Sequence, residues 1–212
     1  HLTDYIINKT FAPIPVTFSW HSEELEMHPN GMIIHVFDKE DQEIKAIEVY
    51  SVGGGSILYK GEQLEESKHI YKENSMHEIM DYITNNHISF YEYILQNEDD
   101  EFENYLYEVL NAMFNCIKNG LNKEGTIHGK LQLKRVAKSI YHQAKNTRGD
   151  ADRLFLASYA YAVAEENADG GMVVTAPTCG ASGIVPAVLY YSYKHLKIEK
   201  KDLIQALAVG GL

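Results

Sequence analysis

Two cysteines, one tryptophan and five prolines stand among 212 residues, and each scarcity removes a class of explanation. Cys116 and Cys179 form neither a CxxC pair nor a disulfide framework, so a stapled secreted scaffold is excluded and a reducing compartment, the cytoplasm, is expected. No apolar run reaches the roughly 20 residues that a bilayer-spanning helix needs, and no signal peptide opens the chain. Cationic residues are outnumbered, 19 Lys and Arg against 30 Asp and Glu, for a formal net charge of −11. With no basic run longer than a pair, nucleic acid and anionic membrane are poor partners, and a small soluble substrate is the better expectation. Internal repeats and low-complexity segments are also absent. What remains is a chain with 45% hydrophobic content, enough for a real core in one or two domains.

Taken in order, residues 1–11 carry Leu2, Tyr5, Ile6, Ile7 and Phe11 at spacings that fit a short helix. Pro13 and Pro15 impose extended backbone, and Val16, Phe18 and Trp20 alternate with polar residues as a half-buried strand does. Asn30-Gly31 marks a tight turn. Met32 to Phe37 reads as a second strand, residues 38–41 as a hairpin loop and Ile44 to Val52 as a third, with a slip of phase near Ala46 that predicts a bulge. A meander of this kind needs a helix layer to cover its apolar face. Residues 61–74 are charged and aperiodic and read as a linker.

From there the pattern is helical. Ser75-x-x-Glu78 and Ser89-x-x-Glu92 match capping boxes. Residues 101–118 place Phe102, Leu106, Val109, Met113 and Ile117 on one face, with Gly120 where a C′ glycine belongs and Cys116 beside the stripe as a buried structural thiol. Leu133, Val136, Ala137, Ile140 and Ala144 define another helix, with Lys134 and Arg135 at its start. Residues 152–166 are apolar around most of their circumference and end in Glu165, Glu166 and Asn167. Those carboxylates are either a solvated helix end or a wall of a pocket. The expected class is α+β: a small strand-rich α/β domain over residues 1–60, the linker 61–74, and a mostly helical domain over 75–212, each incomplete.

Residues 172–188 compress a β-branched run, a Pro-Thr-Cys-Gly turn and an apolar helix start into one stretch. Thr178, Cys179, Gly180, Ala181, Ser182 and Gly183 are small and leave room for a ligand. A helix beginning near Ser182 would turn its free N–H groups and positive dipole end toward that space, which suits a carboxylate. The same position lowers a thiol pKa and favours a metal ligand or nucleophile at Cys179. The competing reading is a plain glycine-rich strand-to-helix connection. Ser51 and the glycines Gly53, Gly54 and Gly55 likewise form either a flexible loop or a backbone anion nest.

The run YAVAEENADGGMVVTAPTCGASGIVPAVLYY resembles the signature segment of the iron-sulfur-dependent L-serine dehydratases. MHPNGMIIHVFD followed by EVYSVGGG resembles two further strings of that family, IHGKLQLKRVAKSIY is similar to its LPGPLxVxRRA segment, and the opening HLTD resembles the tail of its GHxTD motif. The resemblance implies an L-serine ammonia-lyase of amino-acid catabolism and gluconeogenesis that yields pyruvate and ammonia. It also implies a homodimer and a [4Fe-4S] cluster held by three cysteines, one iron acting as Lewis acid. It implies that residues are missing on both sides of this chain. By that resemblance His1 is the base, Thr3 and Asp4 position it, and Ser51, Gly53, Gly54, Gly55, Glu166, Asn167, Thr178, Gly180 and Ser182 bind substrate.

Cys179 is the expected cluster ligand, although many members carry their cysteine at the position of Ser182. The two other thiolates would lie beyond Leu212, so this fragment alone is expected to hold no cluster and to be inactive. Two rival functions stay open: an amino-acid binding or regulatory module, and cysteine desulfidation by related chemistry. A pyridoxal phosphate site lacks its usual lysine surroundings here.

Overall fold

The Asn30-Gly31 turn starts the sheet, and a glycine is required there. A Cβ on Gly31 would fall 2.7 Å from Leu25 Cδ1 and 2.9 Å from the ring of Tyr50, the buried aromatic on which this part of the chain packs. The computed structural model describes residues 3–53, 55–63, 69–129, 131–176 and 178–212. Helix α1 spans Thr3–Phe11, as the apolar spacing predicts. Strands β1 (Gly31–Phe37), β2 (Glu43–Gly53) and β3 (Ser56–Tyr59) form an antiparallel sheet in the order β1-β2-β3.

Ile34 faces Ile47 across the first pair, and the register shifts between Val36 and Phe37, which leaves Ile44 as the extra residue. The bulge therefore sits two positions from the predicted slip. Asp38 ties the connecting turn by accepting the backbone N–H groups of Glu40 and Gln42. The hydroxyl of Tyr50 donates to Glu48, whose other oxygen accepts from Lys60 Nζ at 2.7 Å.

One expectation for this region needs correction. Residues 16–20 form no strand: among the described residues none pairs with them in a ladder, and Trp20 stays 72% exposed while stacking on Phe18. Strand β2 ends at Gly53, which pairs with Ser56 at the start of β3, a strand that the sequence pattern did not show. Gly53 (φ 98°) and Gly55 (φ 87°) hold the left-handed angles that this hairpin turn demands.

The chain divides into two compact units, residues 3–68 and the helical part from residue 69 onward. The helical unit contains α2 (Met76–Asn86), α3 (Phe90–Asn97), α4 (Phe102–Asn122), α5 (Ala137–Asn146), α6 (Ala151–Ala168), α7 (Cys179–Lys194) and α8 (Lys200–Gly211). Ser89 makes the full reciprocal capping box with Glu92. At α2 the box is displaced: Ser75 accepts from Glu78 N, but the Glu78 carboxylate accepts from Asn74 N, one residue earlier.

Helix α4 is the axis of the core, burying Leu110, Phe114 and Ile117 against Tyr159 and Val163 of α6, Tyr190 of α7 and Ile204 of α8. Gly120 does not end it. A Cβ there would lie 2.4 Å from the carbonyl oxygen of Ala162, so the glycine is where α6 crosses α4, and the helix continues to Asn122. Helix α5 begins later than its apolar pattern predicts. Residues 125–129 and 131–135 lie folded against each other, Ile127 N donating to Leu133 O and Arg135 N to Gly125 O. That hairpin leaves Leu133 exposed and Arg135 outside the helix.

Candidate functional site

The C-terminal end of α6 carries the charges and the N-terminal end of α7 carries the cysteine. Glu165 and Glu166, which composition alone would place in water, are buried at 4% and 3% exposure. Buried carboxylates persist only where hydrogen bonds and opposite charges replace their hydration, and both find such partners on the segment that leads from α4 to α5. Glu165 Oε1 accepts the backbone N–H groups of Val136 and Ala137 at 2.6 and 2.9 Å. It thereby serves as the N-cap that α5 lacks locally, since Val136 offers no side-chain cap. Glu165 Oε2 has no hydrogen-bond partner among the described residues and stands 3.7 Å from Arg135 Nη1.

Glu166 receives Arg135 Nη1 at 3.1 Å and Lys123 Nζ at 2.8 Å. Arg135 Nη2 donates to Asp169 Oδ2 at 2.6 Å, and Asp169 Oδ1 accepts the backbone N–H of His128 and lies 2.6 Å from His128 Nδ1. Burial pushes the Asp169 carboxyl up, but the hydrogen bonds from His128 and Arg135 outweigh it and hold the group down at about 2.

This ionic cluster continues directly into the signature segment. Gly171 N donates to the carbonyl of Glu166 at 2.7 Å, and a Cβ on Gly171 would meet Glu166 Oε2 at 2.8 Å. Gly170 adopts φ 72° to make the turn. Residues 172–176 then run without regular structure to Thr178, whose hydroxyl accepts from Ala181 N at 3.1 Å and caps α7. The helix starts three residues before the Ser182 expected from sequence, so Cys179 occupies its first position and Gly180 its second. Ser182 is buried within the first turn, its N–H donating to the carbonyl of Thr178. Gly183 lies against the carbonyl of Ala160, 3.1 Å from where its Cβ would be, and lets α7 close on α6.

Thr178, Gly180 and Ser182 are thus brought together with the backbone of Cys179 at one helix start, with Glu166 beneath the turn that precedes them. Asn167 is exposed on the last turn of α6. The side chain of Cys179, together with Pro177, Gly54 and His1, lies outside the described residues. Thr3 and Asp4 open α1, where Asp4 Oδ1 accepts from Tyr5 N. Ser51 is exposed on β2, its N–H donating to Asn30 O at 2.9 Å. His35 pairs with Glu43 at 2.9 Å on the exposed side of the sheet, and His28 Nδ1 accepts from Asn30 N.

Sequence reasoning missed the roles of Lys123, His128, Arg135, Glu165 and Asp169. The available signal was the Glu-Glu pair on an otherwise apolar helix, which demands buried cations, with Arg135 and Lys123 as candidates.

Comparison with known proteins bears directly on this segment. The family model described as serine dehydratase alpha chain matches residues 32–212. This chain belongs to that family. Among curated relatives, an L-serine dehydratase of Haemophilus influenzae is 33% identical over 91% of this chain and 47% of its own length. One from Streptomyces coelicolor is 34% identical over 89% of this chain and 45% of its own length. L-serine dehydratase 1 of Escherichia coli is 34% identical over 91% of this chain and 46% of its own length. The chain therefore spans about half the length of these serine dehydratase relatives.

A three-thiolate iron-sulfur cluster, implied by the resemblance, is not completed by the residues of this chain. The sequence holds two cysteines. Cys116 is sealed in α4 at 3% exposure, and burial, with the nearby Glu166 charge, pushes its thiol up to about 11. Such a thiol is a poor ligand. Among the described residues no group of three His, Cys, Asp or Glu side chains could hold a metal ion, and no helix is long and apolar enough to cross a membrane.

Proposed function

We propose that this chain is part of an L-serine ammonia-lyase that converts L-serine to pyruvate and ammonia, and that the α7 start is its substrate-facing element. The observation that carries the reading is the family match over residues 32–212, together with relatives that are named L-serine dehydratases. Elimination of water from serine needs a base for a weakly acidic α-proton and an electrophile at the departing hydroxyl. A [4Fe-4S] cluster would supply that electrophile as a Lewis acid, with Cys179 the thiol that this chain offers to it and the other ligands coming from elsewhere in the protein.

The residues of this chain do the rest. With Ala181 N–H and Ser182 N–H bonded to Thr178, the remaining first-turn N–H groups, at Cys179 and Gly180, are the donors for the substrate carboxylate, reinforced by the dipole of α7. Ser182 shapes the floor of that turn. Glu166 and Asn167 bound it from the end of α6. The reading gives Ser51 and the backbone N–H groups of Gly53, Gly54 and Gly55 a substrate-binding role, and it assigns proton abstraction to His1, held by Thr3 and Asp4. Cytoplasmic residence and a homodimer belong to the same proposal.

The test is pyruvate formation by the full-length protein under anaerobic conditions with L-serine. Pyruvate and ammonia released in equal amounts are expected. A protein that binds serine without releasing pyruvate would make the chain a sensor instead.

A further inference from the structure

We propose that Arg135 is a positioning residue, whose guanidinium fixes the Gly170–Thr178 segment and through it the register of Cys179 on α7. The inference rests on the proposed function for its consequence, but its physical basis is separate. One guanidinium, at the end of a side chain 2% exposed, bridges Glu166 and Asp169 at 3.1 and 2.6 Å. These two carboxylates belong to the last turn of α6 and its C-cap, the two residues that anchor the turn into the signature segment. Glu166 receives Gly171 through its carbonyl, and its carboxylate lies where a Cβ on Gly171 would stand.

From Gly171 to Thr178 the described backbone has neither helix nor strand to hold it, so its starting point has to be fixed from one end and its finish by the Thr178 cap. Arg135 is itself held in place, because its N–H donates to Gly125 O and the next two N–H groups in the chain cap onto Glu165 Oε1. The α4–α5 hairpin and the end of α6 are thereby joined through one planar fork. A lysine presents a single point charge and cannot span the two carboxylates with the same geometry.

The experiment compares the full-length protein with its Arg135→Lys and Arg135→Met variants by backbone hydrogen exchange and by serine kinetics. In Arg135→Lys, amides of residues 170–176 and 178–181 are expected to exchange about tenfold faster or more while those of residues 110–117 in α4 change less than about twofold, the signature of local opening. In the kinetics kcat falls and KM for serine rises, because the N–H groups at the α7 start that receive the carboxylate are loosened with the segment, and Arg135→Met is the worse of the two. Unchanged exchange at 170–181 overturns the proposal, as does acceleration spread evenly over α4, α6 and α7, or failure of both variants to fold, since each makes Arg135 a general stability residue. A wild-type protein that forms no pyruvate would sink the functional reading and leave the exchange comparison standing. An unmoved segment in an active enzyme would do the reverse.

Discussion

Asp169 shows how a single carboxylate ties acidity to the integrity of the site. Its pKa, about 2 against an ordinary 3.8, is set by a contest in which hydrogen bonds from His128 and Arg135 overcome burial. A depressed carboxyl pKa contributes stability that is complete above the unfolded value and is lost as pH falls toward the folded one. The window therefore runs from about 4 down to about 2, the range between those two values. Asp169→Asn removes that contribution. Thermal melts are expected to show the wild type ahead of the variant at pH 5–7, with the gap closing across the acid window; a gap independent of pH would refute the pairing. The reason this residue escaped notice in the sequence is general: Asp169 looks like a polar helix-end residue until Arg135, 34 positions earlier, is folded onto it.

The two glycines at helix crossings make a graded prediction for the elements. At Gly120 an added Cβ would press to 2.4 Å on backbone, the carbonyl of Ala162, whereas at Gly183 it would stand 3.1 Å from the carbonyl of Ala160. Backbone cannot swing aside as a side chain does, so Gly120→Ala is expected to cost about 1–3 kcal/mol by overpacking. Gly183→Ala should be close to neutral, because a smaller clash is offset by the roughly 1 kcal/mol that alanine gains over glycine in a helix. Urea denaturation of both variants tests the order, and equal losses would contradict the crossing geometry.

At this scale the periodic helices and the Ser89 capping box were legible because they depend on residues three or four apart. The strand at 16–20 was not, since alternation describes a surface that could pair but not whether a partner exists. The Gly120 terminus failed for the converse reason: a glycine allows a chain end and a close helix contact alike, and only α6 decides between them. The site segment was legible as a motif, yet its helix began at Cys179 rather than near Ser182, because the Thr178 hydroxyl caps the turn earlier than the apolar pattern reveals.

For the whole molecule, the acidic balance and the two-unit division of the chain set the frame, and the serine dehydratase relatives extend to about twice its length. The chain supplies a capped helix start, a buried ionic clasp and one cysteine in the position where a helix dipole favours a thiolate. The account stands or falls on that cysteine. The most direct measurement is anaerobic pyruvate release from L-serine by the full-length protein and its Cys179→Ala variant, with iron and sulfide counted on the same samples. The account predicts that the variant loses iron and falls by more than the about 100-fold that loss of even a supporting residue around a metal costs. A Cys179→Ala protein that forms pyruvate at the wild-type rate with its iron intact would contradict it.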